Sequence, residues 1–158
     1  MEDVDTIVSF SAAMAMETEG RHLDRERLRR GTVTFLDSPR YGFFQVAEAT
    51  TEGRIVGQLM VTYEWSDWRD GVFWWIQSVY VDPAWRRQGV FRRLHGAILA
   101  RTQADPAVCG IRLYVDETNR IAQTAYRRVG LTPSPYVVFE QDFLYPRRPV
   151  LQDRPDEA

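Results

Sequence analysis

Residues 78–94 read SVYVDPAWRRQGVFRRL and decide the fold, because they pass from a strand pattern through a turn into a helix pattern. The strand begins upstream, in GVFWWIQSVYV (71–81), which is nearly continuous in apolar and aromatic residues, as a strand covered on both faces must be. After the turn, Val90, Phe91, Leu94, Ala97 and Ile98 form one apolar stripe at helical spacing, with Arg92, Arg93 and His95 off it. A helix that starts directly after a strand offers unpaired N–H groups and the positive end of its dipole to an anion. Gly89 permits close approach of a ligand to the backbone, and the arginines at 86, 87, 92 and 93 neutralise charge. A pyrophosphate suits such a turn, whereas the plainer reading of the same residues is a solvated helix face.

Outward from this unit the pattern stays legible. Upstream, YGFFQVAEA (41–49) and RIVGQLMVTYEW (54–65) read as an antiparallel strand pair joined by the turn TTEG. Before them, residues 5–19 carry helical spacing closed by Gly20, and a charged helix starts near Asp24. Downstream, GIRLYV (110–115) is a second buried strand. NRIAQTAYRRVG (119–130) is a helix with Ile121, Ala122, Ala125, Tyr126 and Val129 on one side and Gly130 as its stop. YVVFEQDFLY (136–145) is expected to be a final strand, and residues 146–158 have the proline and charge content of a flexible tail. The expectation is one mixed α/β domain over 1–145.

Composition removes several chemistries. The chain has 158 residues, 44% of them apolar, enough for a proper core without staples. A net charge of −2 gives no general field for nucleic acid or acidic membranes, so any anion site is local and neither partner is expected. All twenty basic residues are arginine, so a P-loop lysine and a Schiff-base lysine are both missing. The single cysteine, Cys109, reads as core packing, and with His22 and His95 far apart no metal site is expected. With no apolar run of membrane-spanning length and no leader pattern, the cytoplasm is the expected location.

The same residues resemble a known family. SVYVDPAWRRQGVFRRL is similar to the acyl-coenzyme A signature of the GNAT acetyltransferase superfamily, Arg or Gln, two residues, Gly, one residue, then Gly or Ala. Phe91 stands where the last small residue is usual. LYVDETNRIAQTAYRRVGL (113–131) is similar to the family's later strand and helix at Asn119, Ala122, Tyr126 and Gly130. The resemblance implies a central, mixed, mostly antiparallel twisted sheet with a splayed parallel strand pair and about four flanking helices; the family's first strand has no counterpart before the first helix pattern, which leaves open a missing strand or a lost upstream start. It implies acetyl-CoA as co-substrate, without metal, and transfer of its acetyl group to a primary amine of a small molecule or peptide. The alternative is a non-catalytic acyl-CoA or partner-binding module of the same fold, and an open sheet edge leaves a homodimer open.

Residue by residue, the resemblance assigns pantetheine and oxyanion contacts to the backbone of Val79, Tyr80 and Val81. Pyrophosphate contacts fall to Arg87, Gln88, Gly89, Val90, Phe91 and Arg92, with Arg86 as a further charge partner. Asn119 is assigned to the coenzyme arm or to capping its helix. Tyr126 is the candidate general acid for the departing sulfur, against the alternative of a core tyrosine. Glu64 is the candidate base. Period two places residues 75, 77, 79 and 81 on one face, so Gln77 is expected beside Val79, positioning a water. Glu17, Trp65 and Trp74 join Gln77 as candidate acceptor contacts, carboxylates among aromatic faces being suited to a cationic amine.

Overall fold

The computed structural model describes residues 3–144. Two helices, α1 (Val4–Glu19) and α2 (Arg25–Leu36), precede the strands β1 (Gly42–Ala49), β2 (Arg54–Ser66) and β3 (Gly71–Val81). Helix α3 (Val90–Ala104), strand β4 (Val108–Arg112) and helix α4 (Arg120–Arg128) follow. Asp24 starts α2 as its sequence suggests, its carboxylate accepting from the N–H groups of Glu26 and Arg27, a cap of the kind that contributes about 1 kcal/mol. The four strands lie in sequence order, β1 and β2 antiparallel, β2 and β3 antiparallel, β3 and β4 parallel.

The helices cover opposite faces of this sheet. On one, Val90, Leu94 and Ile98 of α3 pack with Leu59, Val61, Trp74 and Ile76. Each such fully buried aliphatic side chain contributes about 1.5–3 kcal/mol. Gly57 makes this contact close: a Cβ there would stand 2.8 Å from Val90 Cγ1. On the other face α1 lies over β2 and β3, with Phe10 against Tyr80 at 5.0 Å between ring centroids. There Gln58, wholly buried, donates to Ser11 Oγ at 3.1 Å.

Strand β3 departs from simple alternation. The register with β2 slips between Gln58 and Met60, so Ser78 and Val79 together oppose Leu59, and Ser78 has φ 50°. This bulge inverts the faces beyond it. Trp75 and Gln77 point to the α1 side, whereas Val79 and Val81 pack into the α3 core and Tyr80 turns to α1. The expected common face of 75, 77, 79 and 81 is therefore corrected.

Three further expectations change. The expected final strand is corrected: residues 136–144 form none, β-forming content alone not supplying the pairing; Tyr145 and the expected tail, 146–158, lie outside the described residues. His95, off the α3 stripe by spacing, is buried because β4 and the end of α4 flank it. Ile121 is 87% exposed, so the inner side of α4 is carried by Ala122, Ala125 and Tyr126. Among the described residues no helix is long and apolar enough to cross a membrane.

Candidate active site

The parallel pairing of β3 and β4 runs only from Val72 and Val108 to Trp75 and Arg112. Beyond it, residues 77–81 and 113–115 have no ladder between them, so the sheet opens into a cleft at the bulge. Peptide groups freed in this way can receive an extended ligand in place of the missing strand.

The arginine turn stands at one end of the cleft. A short 3-10 turn, Pro83–Trp85, is capped by Asp82, whose carboxylate accepts from Ala84 N–H at 2.9 Å. Arg87 at φ 63° and Gly89 at φ 80° then swing the chain into α3. Arg93 N–H donates to Gly89 C=O at 3.0 Å, the first bond of the helix, which leaves the amides of Val90, Phe91 and Arg92 without helical acceptors. The space above Gly89 is open except for Arg92, whose guanidinium would lie 3.7 Å from an added Cβ. Free donors, an approachable backbone and the exposed cations Arg87 and Arg92 fit a pyrophosphate.

Arg86 is engaged elsewhere. It donates to Glu17 Oε2 at 2.6 Å and to Val81 C=O at 2.9 Å, and its guanidinium lies 5.3 Å from the Tyr80 ring centroid. Tyr80 OH donates to Glu17 Oε1 at 2.8 Å. Burial opposes ionisation of Glu17, but the hydrogen bonds from Arg86 and Tyr80 outweigh it and hold the carboxyl below its ordinary value. Burial, with the bond to Glu17, pushes the Tyr80 hydroxyl up. Glu17 thus clips the end of α1 to the turn. Gln88 is likewise used locally, donating to Ala84 C=O at 2.9 Å.

On the α1 face a polar ladder lines the cleft. Gln77 donates to Thr62 Oγ1 at 2.6 Å and receives Tyr114 OH at 3.4 Å across the opening. Glu64 accepts from Trp75 Nε1 and from Arg112 at 2.7 Å. The Arg112 guanidinium lies over the Phe73 ring, its Cζ 3.6 Å from the centroid. Glu64 and Gln77 lie along one face of the sheet, each with its own partners, while Thr62, Arg112 and Tyr114 were missed. Their signal was available: Thr62 and Glu64 alternate along one strand, and Arg112 and Tyr114 flank the end of the other. Trp65 is exposed, and Trp74 is buried against Phe43 in the α3 core, away from the ladder.

On the α3 side, Tyr126 meets Phe91 at 5.4 Å between centroids. Burial pushes its hydroxyl above the ordinary value, so the group carries its proton near neutral pH, as an acid must. Asn119 caps α4, accepting from Ala122 N–H at 3.0 Å, and its amide N–H₂ remains as a donor. Among the described residues no group of three His, Cys, Asp or Glu side chains is placed to hold a metal ion.

Comparison with known proteins agrees with this geometry. The profile of the Acetyltransferase (GNAT) family matches residues 8–131. A possible acetyltransferase from Clostridium difficile 630 superposes with a TM-score of 0.84 at 39% identity, over 92% of this chain and 94% of that one. More distant structures share the fold. A predicted acetyltransferase with acetyl-CoA from Clostridium acetobutylicum has a TM-score of 0.70 at 16% identity, over 89% of this chain and 91% of that one. AAC(6')-Iy, in complex with the bisubstrate analogue CoA-S-monomethyl-acetylneamine, has 0.67 at 16%, over 87% and 92%. No curated protein matches the chain. With its profile, its sheet and its opened β3–β4 pair in agreement, the chain belongs to the GNAT acetyltransferase family.

Proposed function

We propose that the protein transfers an acetyl group from acetyl-CoA to a primary amine on a small molecule or peptide. The observation that carries this reading is the cleft itself: an anion turn at one end, an opened strand pair in the middle, and a polar ladder on the face opposite α3. The amides of Val90, Phe91 and Arg92, with Arg87 and Arg92, hold the pyrophosphate. The freed backbone of Val79, Tyr80 and Val81 receives the pantetheine arm and offers donors to the oxyanion. Asn119 contributes its amide N–H₂ to the coenzyme arm.

The acceptor enters from the α1 face, where Thr62, Gln77 and Tyr114 orient it and Glu64 is fixed by Trp75 and Arg112. Glu64 takes the proton that the amine must lose to attack, and Tyr126 returns a proton to the departing sulfur from the α3 side. A carboxylate beside the Trp75 indole suits a cationic amine. Coenzyme A thiol release, measured with polyamines, aminoglycosides, amino acids and peptide N-termini, tests the reading. Amine-dependent release that Tyr126→Phe slows supports it; acetyl-CoA binding without release for any amine, and indifference to Tyr126→Phe, contradicts it.

A further inference from the structure

On the α1 face of the sheet, two arginines meet over one aromatic ring. Phe73 and Glu64 are register partners across β3 and β2, and Gly110 of β4 opposes Phe73 on the other side. A Cβ at Gly110 would stand 2.7 Å from Phe73 Cε1, so the ring occupies the place that a β4 side chain would take. Over this ring lie two guanidiniums, that of Arg112 with its Cζ 3.6 Å from the centroid and that of Arg69 with its Cζ 5.0 Å away. Arg112 ends β4, whereas Arg69 comes from the turn Asp67–Arg69 between β2 and β3.

The two cations have one carboxylate between them. Glu64 Oε1 accepts from Arg112 Nη1 at 2.7 Å, and Oε2 accepts from Trp75 Nε1. Arg69 makes no ion pair among the described residues, and its hydrogen bond, to Ser66 Oγ, is long at 3.4 Å. The neighbouring Asp67 is turned to the Trp68 N–H at 2.9 Å, and Asp70 closes the turn at φ 45°. A guanidinium carries five N–H donors, of which Arg112 gives one to Glu64. The Arg112 and Glu64 side chains are 31% and 41% exposed, so a ligand reaches both. A simple cationic amine would add positive charge to a site that already holds two cations against one anion.

We infer, on the reading that Glu64 receives the acceptor amine, that the acceptor is an α-amino acid. Its ammonium stands at Glu64, and its carboxylate takes the remaining N–H groups of Arg112 and Arg69, the fork of a guanidinium matching a carboxylate. Spacing supports this class. The two charged groups of an α-amino acid hang from one carbon, and Arg112 and Glu64 are in direct contact, so one small zwitterion spans both. A decarboxylated amine satisfies only the Glu64 half, and so does a peptide N-terminus, whose α-carboxyl is already an amide. Trp75 and Tyr114, 6.0 Å between ring centroids, stand beside the site. Transfer to the zwitterion gives an N-acetyl amino acid, coenzyme A thiol and one proton. Arg69 is thereby a specificity-determining residue.

Coenzyme A thiol release by the full-length chain, measured with the coded L-amino acids, their decarboxylated amines and their α-amides, tests this. An amino acid is expected to exceed both of its counterparts in kcat/KM, and Arg69→Gln to lower that preference by about tenfold or more, through KM. Comparing the ratios in native chain and variant cancels the intrinsic basicity of each amine. Arg69→Lys, which keeps the charge, is expected to retain most of the preference, with melting curves checking that both variants fold. Release with amines or amides at least as fast as with their amino acids, or a preference that Arg69→Gln leaves unchanged, overturns the assignment while acetyl transfer itself stands. Release with no amine at all overturns both.

Discussion

The Phe91 ring stands edge-on to the Tyr126 ring, 5.4 Å between centroids. The residue at the usual small position of the turn pattern thus packs on the side chain proposed as the acid. A tyrosine hydroxyl in a largely apolar setting keeps its proton, and its ring is located by a neighbour that also belongs to the anion turn.

Tyr126→Phe preserves this packing and removes only the hydroxyl. Turnover is expected to fall by about 10²-fold or more, while the dissociation constant for acetyl-CoA stays nearly unchanged. Steady-state kinetics beside a binding isotherm check this. Equal losses in both would mean that the ring, not the proton, matters.

Glu64 is expected to matter for the chemical step in the same way. Glu64→Gln keeps a side chain able to accept from Trp75 but removes the base, so kcat drops by on the order of 10²–10⁴ with unaltered coenzyme affinity. Arg112→Met releases one of the two donors that fix Glu64 and is expected to lower kcat less. A wild-type kcat for Glu64→Gln assigns the proton to another group or to water.

The Glu17, Tyr80 and Arg86 clip makes a prediction about pH. The folded Glu17 pKa is depressed, because hydrogen bonds from Arg86 and Tyr80 outweigh the opposing cost of burial. Its stabilising contribution is therefore complete above the ordinary glutamate range and disappears as pH falls through the depressed value. Glu17→Gln is expected to melt at most about 2–4 °C below the native chain near neutral pH, a half-exposed pair contributing no more than about 1 kcal/mol, the gap closing in acid. A gap that stays constant across a pH series of melting curves would contradict the clip.

His95 adds a buried base that also loses stability toward acid. Burial pushes its pKa down, and Nε2 is unpartnered, so the unfolded chain takes up a proton before the folded one does. Stability is then lost as pH falls through the ordinary histidine value toward the depressed one. His95→Leu is expected to remove that slope from a plot of stability against pH. Parallel slopes in both proteins would place the proton elsewhere.

What was legible in the sequence is what local pattern determines. The strand, turn and helix at 71–104 follow from an apolar run, a turn and a stripe at helical spacing, and Asn119 follows from its place before a helix. Three features depended on contacts that no local pattern carries. The bulge at Ser78 inserts one residue into β3, and period two has no means of registering an insertion, so Gln77 and Val79 were assigned one face. Arg86 was read as a phosphate partner because its counter-ion, Glu17, lies 69 positions away. Residues 136–144 carry the β-forming side chains from which a final strand is expected, yet they form none, because such content describes a surface that a strand fits and does not by itself supply the pairing. Trp74 and Trp75 show the same limit on a smaller scale: adjacent and identical, they face the core and the cleft, and only the helix packed on each side distinguishes them.

The central claim, that the turn around Gly89 receives acetyl-CoA, is tested most directly by calorimetric titration of the native chain and of Gly89→Glu with acetyl-CoA. The variant adds a carboxylate where phosphate is expected and forces a side chain onto a backbone at φ 80°, a conformation that costs about 1–2 kcal/mol outside glycine. The account predicts saturable one-to-one binding to the native chain, lost in a variant that still folds by circular dichroism. Absence of binding to the native chain, or undiminished binding to the variant, would contradict it.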